Sequence, residues 1–328
     1  MYSRVLGTGS ALPKRIVTNG EFAAMLARDG IETSDEWIRT RTGIESRHFA
    51  DEAEGETTSS LAVAAARRAL EAANVETSEI DLIIVATTTP DMVFPSVACR
   101  VQAALGARGC AAFDVQAVCA GFIYALNAAD AMLRAGPYRA AIVIGAEVMS
   151  RVLDMKDRST CVLFGDGAGA AVLGKGDGLV ASHLMTKGDD DVITIPTRYD
   201  RSPWYKNEIS EITSVHMNGR ETYKFAVMAM SDNIKDLMAS AGVAGEDVAL
   251  VIPHQANYRI INEARRRIPD IAPEKFCINI DRYGNTSSAS VPILLDEMNR
   301  AGKIHEGDLI ILAAFGGGLS AGAMIIRW

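Results

Sequence analysis

The sequence lacks several features that mark common protein classes. Aromatic residues make up only 6% of the 328 residues, and no apolar run approaches the length of a membrane-spanning helix. The five cysteines form an odd count without the spacing of a metal site, so we expect no metal. Basic residues are outnumbered, because 33 Lys and Arg stand against 41 Asp and Glu, and the net charge of −8 argues against a nucleic-acid-binding protein. The N-terminal residues carry no apolar signal region, so we expect a reduced, cytoplasmic protein.

Apolar residues make up 48% of the sequence, and alanine and glycine are frequent. This composition favours helices packed on sheets over a β-sandwich. Residues 80–86 and 140–145 are continuous apolar runs of strand length, and residues 59–74 form an Ala-rich amphipathic pattern typical of a helix. The alternation predicts an α/β fold of βαβ units with mostly parallel sheets. Residues 174–220 are polar and irregular, which predicts an insertion over a surface or a site.

The second half of the chain repeats motifs of the first. A helix end at Val75 recurs at Val243, 168 positions later, and Cys119 precedes a helix as Asn285 does, 166 positions later. Such matches predict a duplicated unit, with halves spanning residues 1–174 and 175–328. The alternative is that βα units resemble one another in any α/β fold. If the duplication is real, Cys119 and Asn285 occupy equivalent helix starts, and both could face one cavity.

Three residues could carry nucleophilic chemistry. Cys119 lies between a predicted strand and a helix, where backbone N–H groups favour a thiolate, although a lone cysteine is often only a small buried residue. His254 follows the predicted strand Val248–Ile252, and Asn285 precedes a helix; each alone could be structural. Together they indicate a Cys/His/Asn site for acyl chemistry. The glycines after Phe315 fit either a tight turn or an oxyanion hole, and these are compatible.

Seven motifs give the chain a resemblance to the β-ketoacyl-acyl-carrier-protein synthase III family, the initiating condensing enzymes of type II fatty acid synthesis. They are Gly7–Ser10, Thr33–Ile44, Ala117–Phe122, Phe164–Ala170, Pro253–Asn257, Gly284–Thr286 and Phe315–Gly318. The resemblance implies a thiolase-like fold in which two βαβαβ-type halves form five layers, α-β-α-β-α. A thiolase would need a second cysteine after Gly318, and an elongating synthase would need a histidine at position 285; neither is present.

The resemblance also implies a reaction. An acyl-CoA primer condenses with malonyl-acyl-carrier protein, through an acyl-cysteine, to give 3-oxoacyl-acyl-carrier protein, CoA and CO2. Cys119 would be the nucleophile, and His254 and Asn285 would donate hydrogen bonds to the malonyl thioester carbonyl. The backbone N–H groups of Cys119 and Gly317 would form the oxyanion hole. Acyl-CoA is then a substrate, and we expect no cofactor.

Substrate-contact residues follow from the same resemblance. Those expected to bind CoA are Trp37, Arg41, Arg158, Gly219, Tyr223, Ala256 and Asn257. Those expected at the primer pocket are Phe94, reaching into a partner subunit of a homodimer, and Leu319. Those expected to dock the carrier protein are Arg259, Arg266 and Arg267, although arginines on a helix often form only a solvated face. We expect no nucleic-acid or membrane partner.

Two alternatives remain open from the sequence. One is a relative in secondary metabolism, either a condensing enzyme or an acyltransferase. The segment from Lys187 to Tyr205 departs most from the housekeeping pattern, and Leu319 and Ala321 stand where bulkier aromatics are common, which leaves the primer length open. The other, more remote alternative is a non-catalytic acyl-CoA-binding protein.

Overall fold

A computed structural model describes residues 2–196, 204 and 214–328 of the chain. The helices are α1 (Asn19–Ala27), α2 (Asp35–Thr42), α3 (Thr58–Ala73), α4 (Val97–Leu105), α5 (Gly121–Ala135), α6 (Arg158–Cys161), α7 (Gly219–Ala241), α8 (Tyr258–Arg266), α9 (Ile280–Tyr283) and α10 (Ser290–Arg300). The strands are β1 (Tyr2–Ala11), β2 (Arg15–Thr18), β3 (Ser46–Phe49), β4 (Leu82–Ala86), β5 (Ala111–Val115), β6 (Ala140–Val148), β7 (Asp166–Gly176), β8 (Leu179–Asp189), β9 (Ile193–Thr194), β10 (His216–Met217), β11 (Val248–Pro253), β12 (Leu309–Gly316) and β13 (Gly318–Arg327). None of the described helices combines the length and the hydropathy needed to cross a membrane.

Two mixed sheets form the framework. The first has the order β1-β7-β6-β4-β5, in which β4 is parallel to β6 and β5, and β7 is antiparallel to β1 and β6. The second has the order β11-β12-β13-β8, in which β11–β12 is parallel and the other pairs are antiparallel. The expectation of mostly parallel sheets is therefore wrong. Strand β12 turns directly into β13 at Gly317, and a connection this short reverses the chain, whereas parallel neighbours need a long crossover.

Five layers follow from the alternation of side chains along the central strands. On β4, Ile83 packs in one core cluster with α3 and α4, whereas Ile84 packs in another with α5 and α10. On β12, Ile310 joins that second cluster, and Ile311 packs with α7 and α8. The order is therefore α3/α4, first sheet, α5/α10, second sheet, α7/α8. This order confirms the predicted five-layer arrangement.

The start of the middle-layer helices differs in register from the sequence prediction. Cys119 lies inside the 3-10 turn Val118–Ala120 before α5, and the second half has the 3-10 turn Ser287–Ala289 before α10. The counterpart of Cys119 is therefore Ser288, and the predicted equivalence with Asn285 is wrong. The physical reason is helix length, because α10 has 11 residues and α5 has 15. The offset seen in the sequence aligns the helix ends but not the helix starts.

Within the region 174–220, residues 174–196 and 214–220 are more regular than predicted. Strand β8 pairs with β13 at the edge of the second sheet. Its side chains are mostly exposed and polar, so the sequence lacks the apolar alternation that indicates a strand. Strands β9 and β10 pair with each other farther along. The predicted boundary between residues 174 and 175 falls inside β7 and stays a prediction. Of the divergent segment Lys187–Tyr205, residues 197–203 and 205 lie outside the described residues.

Candidate active site

A cavity of about 1050 Å³ opens at the C-terminal ends of strands from both sheets. Residues that follow β4, β5, β6, β11 and β12 line it, as expected for ligand sites in such sheets. Cys119, His254 and Asn285 all line this cavity, together with Gly316 and Gly317. The structure therefore brings the three predicted catalytic residues to one space.

Cys119 is a buried thiol at the start of α5. Burial raises the pKa of Cys119 to about 12, and the nearby Glu147 adds to the rise. The N-terminal end of α5 favours the thiolate. Burial is the larger effect, so the resting side chain is a thiol rather than the thiolate that the helix start favours. The Cys119 Sγ atom lies 3.5 Å from Ser287 Oγ.

His254 follows β11 and is fixed from two sides. Its backbone N–H donates to the Ala313 carbonyl at 2.7 Å, and its Nδ1 lies 2.6 Å from Ser290 Oγ. The Ser290 oxygen also accepts the backbone N–H of Gln255 at 3.4 Å, and among the described residues Nδ1 is the one acceptor within reach of the Ser290 O–H, so we assign that O–H as the donor to Nδ1. Burial lowers the pKa of His254 to about 3, so the ring is neutral at pH 7. A neutral ring that accepts at Nδ1 carries its proton on Nε2 and can donate it.

Asn285 stabilises a turn and keeps a side-chain N–H group that can donate to a ligand. Its backbone pairs with the segment after α6, through Asn285 N–H to Leu163 O at 2.9 Å and Gly165 N–H to Asn285 O at 3.0 Å. Its Oδ1 accepts the backbone N–H of Ser287 at 2.8 Å. The amide oxygen is thereby engaged, and Nδ2 remains to donate to a ligand. His254 and Asn285 can therefore both offer N–H groups.

Close packing at Gly316 joins the second sheet to the cysteine. A Cβ atom at position 316 would lie 2.7 Å from the Cys119 backbone nitrogen, so a larger residue would force the two segments apart. Gly317 follows on the cavity wall. The Ser320 hydroxyl lies 2.9 Å from the Gly317 carbonyl and 3.1 Å from the Ala117 carbonyl, which ties the glycine turn to the cysteine turn. The predicted oxyanion-hole residues are therefore neighbours.

Most of the residues expected to bind CoA lie on this cavity. Its lining includes Trp37, Arg41, Gly219, Tyr223, Ala256 and Asn257. The Arg158 Cζ atom lies 4.4 Å from the centroid of the Trp37 ring, and the Arg41 Cζ atom lies 4.8 Å from it. Arg158 also donates to the Glu32 carbonyl and is not among the lining residues. An indole flanked by guanidinium groups suits a planar ligand that carries phosphates.

The two residues expected at the primer pocket lie away from this cavity within one chain. Phe94 is 83% exposed and does not line it, whereas its neighbour Val93 does. Leu319 is buried and is absent from the lining. Strand β5, which ends near Cys119, is the edge strand of the first sheet.

The three arginines expected to dock a carrier protein have different surroundings. Arg259 lines the cavity, and its guanidinium donates to the Thr40 carbonyl at 2.8 Å. Arg266 and Arg267 form ion pairs with Glu263 at 3.3 and 3.4 Å and lie off the cavity. Among the three, Arg259 is therefore the one on the cavity wall.

Sequence reasoning missed three residues behind the site. Ser290 orients His254, Ser287 contacts both Cys119 and Asn285, and Glu147 accepts a hydrogen bond from Ser287 at 3.1 Å. An acid at the end of an apolar strand and a hydroxyl-rich turn after Asn285 were the available signals. Neither signal pointed to chemistry on its own.

Comparisons with known proteins agree with this geometry. The family model described as 3-oxoacyl-[acyl-carrier-protein] synthase III matches residues 113–188, and the model of the C-terminal part of that family matches residues 238–328. The 3-oxoacyl-[acyl-carrier-protein] synthase III of Aquifex aeolicus is 44% identical, with a TM-score of 0.90 over 99% of this chain and 100% of that chain. The β-ketoacyl-[acyl carrier protein] synthase III of Thermus thermophilus is 41% identical, with a TM-score of 0.90 over 99% of each chain. The priming β-ketosynthase of the R1128 polyketide pathway is 35% identical, with a TM-score of 0.90 over 99% of this chain and 96% of that chain.

Proposed function

The chain belongs to the 3-oxoacyl-[acyl-carrier-protein] synthase III family, and from this we propose that it condenses an acyl-CoA primer with malonyl-acyl-carrier protein. The products are 3-oxoacyl-acyl-carrier protein, CoA and CO2, and the step initiates fatty acid synthesis. The observation that carries the proposal is the shared cavity of Cys119, His254 and Asn285 beside the Gly316–Gly317 turn. The CoA thioester supplies the activated acyl group, so the reaction needs no cofactor.

In the first half-reaction, Cys119 Sγ attacks the thioester carbonyl of the primer. A carbon–sulfur bond forms at Cys119, the bond to CoA breaks, and the thiol proton leaves on the CoA sulfur. The backbone N–H groups of Cys119 and Gly317 stabilise the tetrahedral oxyanion. Such preorganised donors act where charge develops and cost no reorganisation during the reaction.

In the second half-reaction, malonyl-acyl-carrier protein enters the cavity. His254 Nε2–H and Asn285 Nδ2–H donate to its thioester carbonyl while CO2 leaves, and the electron pair of the broken bond forms an enolate. The enolate carbon then attacks the acyl-cysteine, the carbon–sulfur bond breaks, and Cys119 leaves as a thiolate that takes a proton from solvent to restore the resting thiol. Since charge grows on the carbonyl oxygen only after decarboxylation begins, the two donors favour the transition state over the ground state.

Substrates and assembly are proposed from the same framework. Trp37, Arg41 and Arg158 hold the nucleotide part of CoA, and Gly219, Tyr223, Ala256 and Asn257 line its pantetheine path.

Phe94, which is exposed in the single chain, reaches the primer pocket of a second copy in a homodimer, where Leu319 backs the pocket. Arg259 docks the acidic carrier protein, with Arg266 and Arg267 as weaker contributors because both are paired with Glu263, which offsets part of their charge. We place the protein in the cytoplasm, where a nucleophilic thiol stays reduced.

A second candidate function is supported by one relative. The R1128 priming β-ketosynthase is 35% identical across almost the whole chain, so a role in secondary metabolism fits the same site with a different primer.

One experiment tests both candidates. The protein is mixed with equimolar acetyl-, isobutyryl- and hexanoyl-CoA, and the mass added to the Cys119 peptide is measured, with Cys119→Ala as the control. A short straight acyl adduct supports the initiating enzyme, and a longer or branched adduct supports the secondary-metabolite enzyme. CoA binding without any adduct and without CoA release would contradict both.

A further inference from the structure

Glu147 is a buried acid that the proposed reaction does not use. It lies at the end of β6 and is fully buried. Its hydrogen-bond donors are the hydroxyls of Thr87, Thr88, Thr89, Ser287 and Ser288 and the backbone N–H of Thr88. In the described part of the chain it forms no ion pair with an arginine or lysine. Both oxygens of this carboxyl group therefore act as hydrogen-bond acceptors.

Ser287 connects this acid to both proposed catalytic groups. Its hydroxyl lies 3.1 Å from Glu147 Oε1 and 3.5 Å from Cys119 Sγ, and its backbone N–H donates to Asn285 Oδ1 at 2.8 Å. Ser287 also has a φ of 50°, a left-handed conformation that a non-glycine residue adopts only when its surroundings hold it there. The hydrogen bonds to Glu147 and Asn285 provide that hold.

The direction of the Ser287 hydroxyl follows from proton counting. A hydroxyl has one proton, and the Glu147 oxygen at 3.1 Å is a closer and stronger acceptor than the Cys119 sulfur at 3.5 Å. The Ser287 proton therefore points to Glu147, and the Ser287 lone pairs face Cys119. In this arrangement the Cys119 S–H donates to Ser287 Oγ, which favours the thiol over the thiolate.

We propose that Glu147 is a positioning residue that acts through the Ser287 hydroxyl and holds the resting Cys119 as an oriented thiol. The proposal rests on the proposed function only in treating Cys119 as the nucleophile. The hydrogen bond from the Cys119 S–H to Ser287 Oγ then ends when the thiol proton leaves with CoA. Glu147 itself does not touch the substrate.

Other ionisable groups near the site do not replace this effect. His254 lines the same cavity after β11, but burial lowers its pKa to about 3 and leaves it uncharged. Arg41 on α2, Tyr223 on α7 and Arg259 on α8 also line the cavity. The two arginines would stabilise a thiolate, so their effect has the opposite sign. Burial raises the pKa of Glu147 as well, and its hydrogen-bond donors offset only part of that rise.

The test uses the pH dependence of Cys119 alkylation by iodoacetamide, without any substrate. Peptide mass spectrometry quantifies Cys119 separately from the other four cysteines. In Glu147→Gln the side chain keeps its shape but gains an N–H₂ donor, so the Ser287 hydroxyl can turn toward sulfur. We expect the alkylation profile to move at least one pH unit lower, which is about a tenfold faster reaction at pH 7.

Two serine variants separate positioning from packing. Ser287→Ala removes the acceptor of the thiol proton. Ser288→Ala removes a hydroxyl that lies 3.0 Å from the same Glu147 oxygen and 2.9 Å from the Ala86 carbonyl, and this hydroxyl forms no hydrogen bond with Cys119. We expect faster alkylation of Cys119 in Ser287→Ala and a much smaller change in Ser288→Ala. Slower alkylation in Ser287→Ala would mean that Ser287 donates to sulfur, and it would overturn the proposal. An unchanged profile in a folded Glu147→Gln protein would overturn it as well.

A steady-state measurement completes the test. With acyl-CoA as substrate, Glu147→Gln should lower kcat for CoA release about tenfold, because the thiol loses its orientation, and should leave KM unchanged since no CoA contact is altered. A changed KM with unchanged kcat would contradict a positioning role. If wild type releases no CoA while the alkylation shifts appear, the proposed function fails and the Glu147–Ser287 proposal stands.

Discussion

The turns Val118–Ala120 and Ser287–Ala289 have similar backbones and different chemistry. Each begins with a residue of positive φ, 49° in the first and 50° in the second, and each leads into a helix of the middle layer. The first turn carries a cysteine at its second position, and the second carries a serine there. In the proposed function the first turn supplies the reactive atom, and in the further inference the second supplies groups that hold it. A duplicated fold offers two equivalent helix starts, and only one of them needs to react.

The largest expected effect comes from removing the reactive atom of the first turn. Cys119→Ala should lower acyl transfer from acyl-CoA by more than about a thousandfold, because no other group replaces the nucleophile. CoA release, followed with a thiol reagent, measures the loss. Cys277→Ala is the matched control, since Cys277 is also buried but lies off the cavity. A Cys119→Ala protein that still forms an acyl adduct would contradict the assignment.

Variants of His254 and Asn285 test the proposed role of the second half of the molecule, which supplies these two hydrogen-bond donors. His254→Ala or Asn285→Ala should slow decarboxylation of malonyl-acyl-carrier protein by about a hundred- to a thousandfold, the usual loss for one donor at a developing oxyanion. Acylation of Cys119 should fall much less. Release of CO2 and release of CoA are measured separately for each variant. Equal losses in both half-reactions would contradict the division of work between the halves.

The contact between the halves is tested at Gly316. Gly316→Ala places a methyl group 2.7 Å from the Cys119 backbone nitrogen. We expect a loss of stability of about 1–3 kcal/mol, as for other overpacked sites, and slower acylation. Gly188→Ala is the control, because a Cβ atom at position 188 meets nothing within 4 Å. Thermal unfolding and CoA release measure the two effects; equal behaviour of the two variants would show that the close approach is unimportant.

The smallest expected effect lies at the cavity mouth, away from both turns. Arg259→Glu should raise KM for malonyl-acyl-carrier protein several-fold through repulsion of an acidic partner, and should leave acyl-CoA cleavage nearly unchanged. Arg266→Glu is the comparison variant, because Arg266 is already paired with Glu263. Its effect should be smaller. If salt concentration does not reduce the difference between the variants, charge is not its cause.

The layers and the reactive residues were accessible from the sequence because each has a local pattern. Apolar strand runs and Ala-rich helices predicted the sheets and the outer helices, and Cys119, His254 and Asn285 each lie in a recognisable motif. Cys119 and His254 follow strands, whereas Asn285 follows the short helix α9. The repeat was also visible, but its register at the helix starts was not. The sequence comparison aligned the ends of α5 and α10. Because α10 is four residues shorter than α5, this alignment wrongly paired Cys119 with Asn285.

Glu147 could not be found in the same way, because its role depends on segments far apart in the chain. Its donors come from the residues after β4 and from the turn before α10. A single acid after an apolar strand has no sequence pattern of its own. Strand β8 lacked a recognisable strand pattern because its exposed edge position allows polar side chains on most of its length. Features set by tertiary assembly rather than by local periodicity are the ones that sequence reasoning missed.

The tightness of the middle layer has a consequence for protein engineering. A Cβ atom at Gly145 would lie 2.3 Å from the Ser288 carbonyl, and one at Gly121 would lie 3.0 Å from the Ala86 methyl group. Residues of this layer therefore tolerate little added volume. Ile193 and Met217, by contrast, reach the cavity from the short β9–β10 pair, which belongs to neither large sheet. A library intended to change the accepted acyl chain should vary these two positions and keep the helix starts fixed.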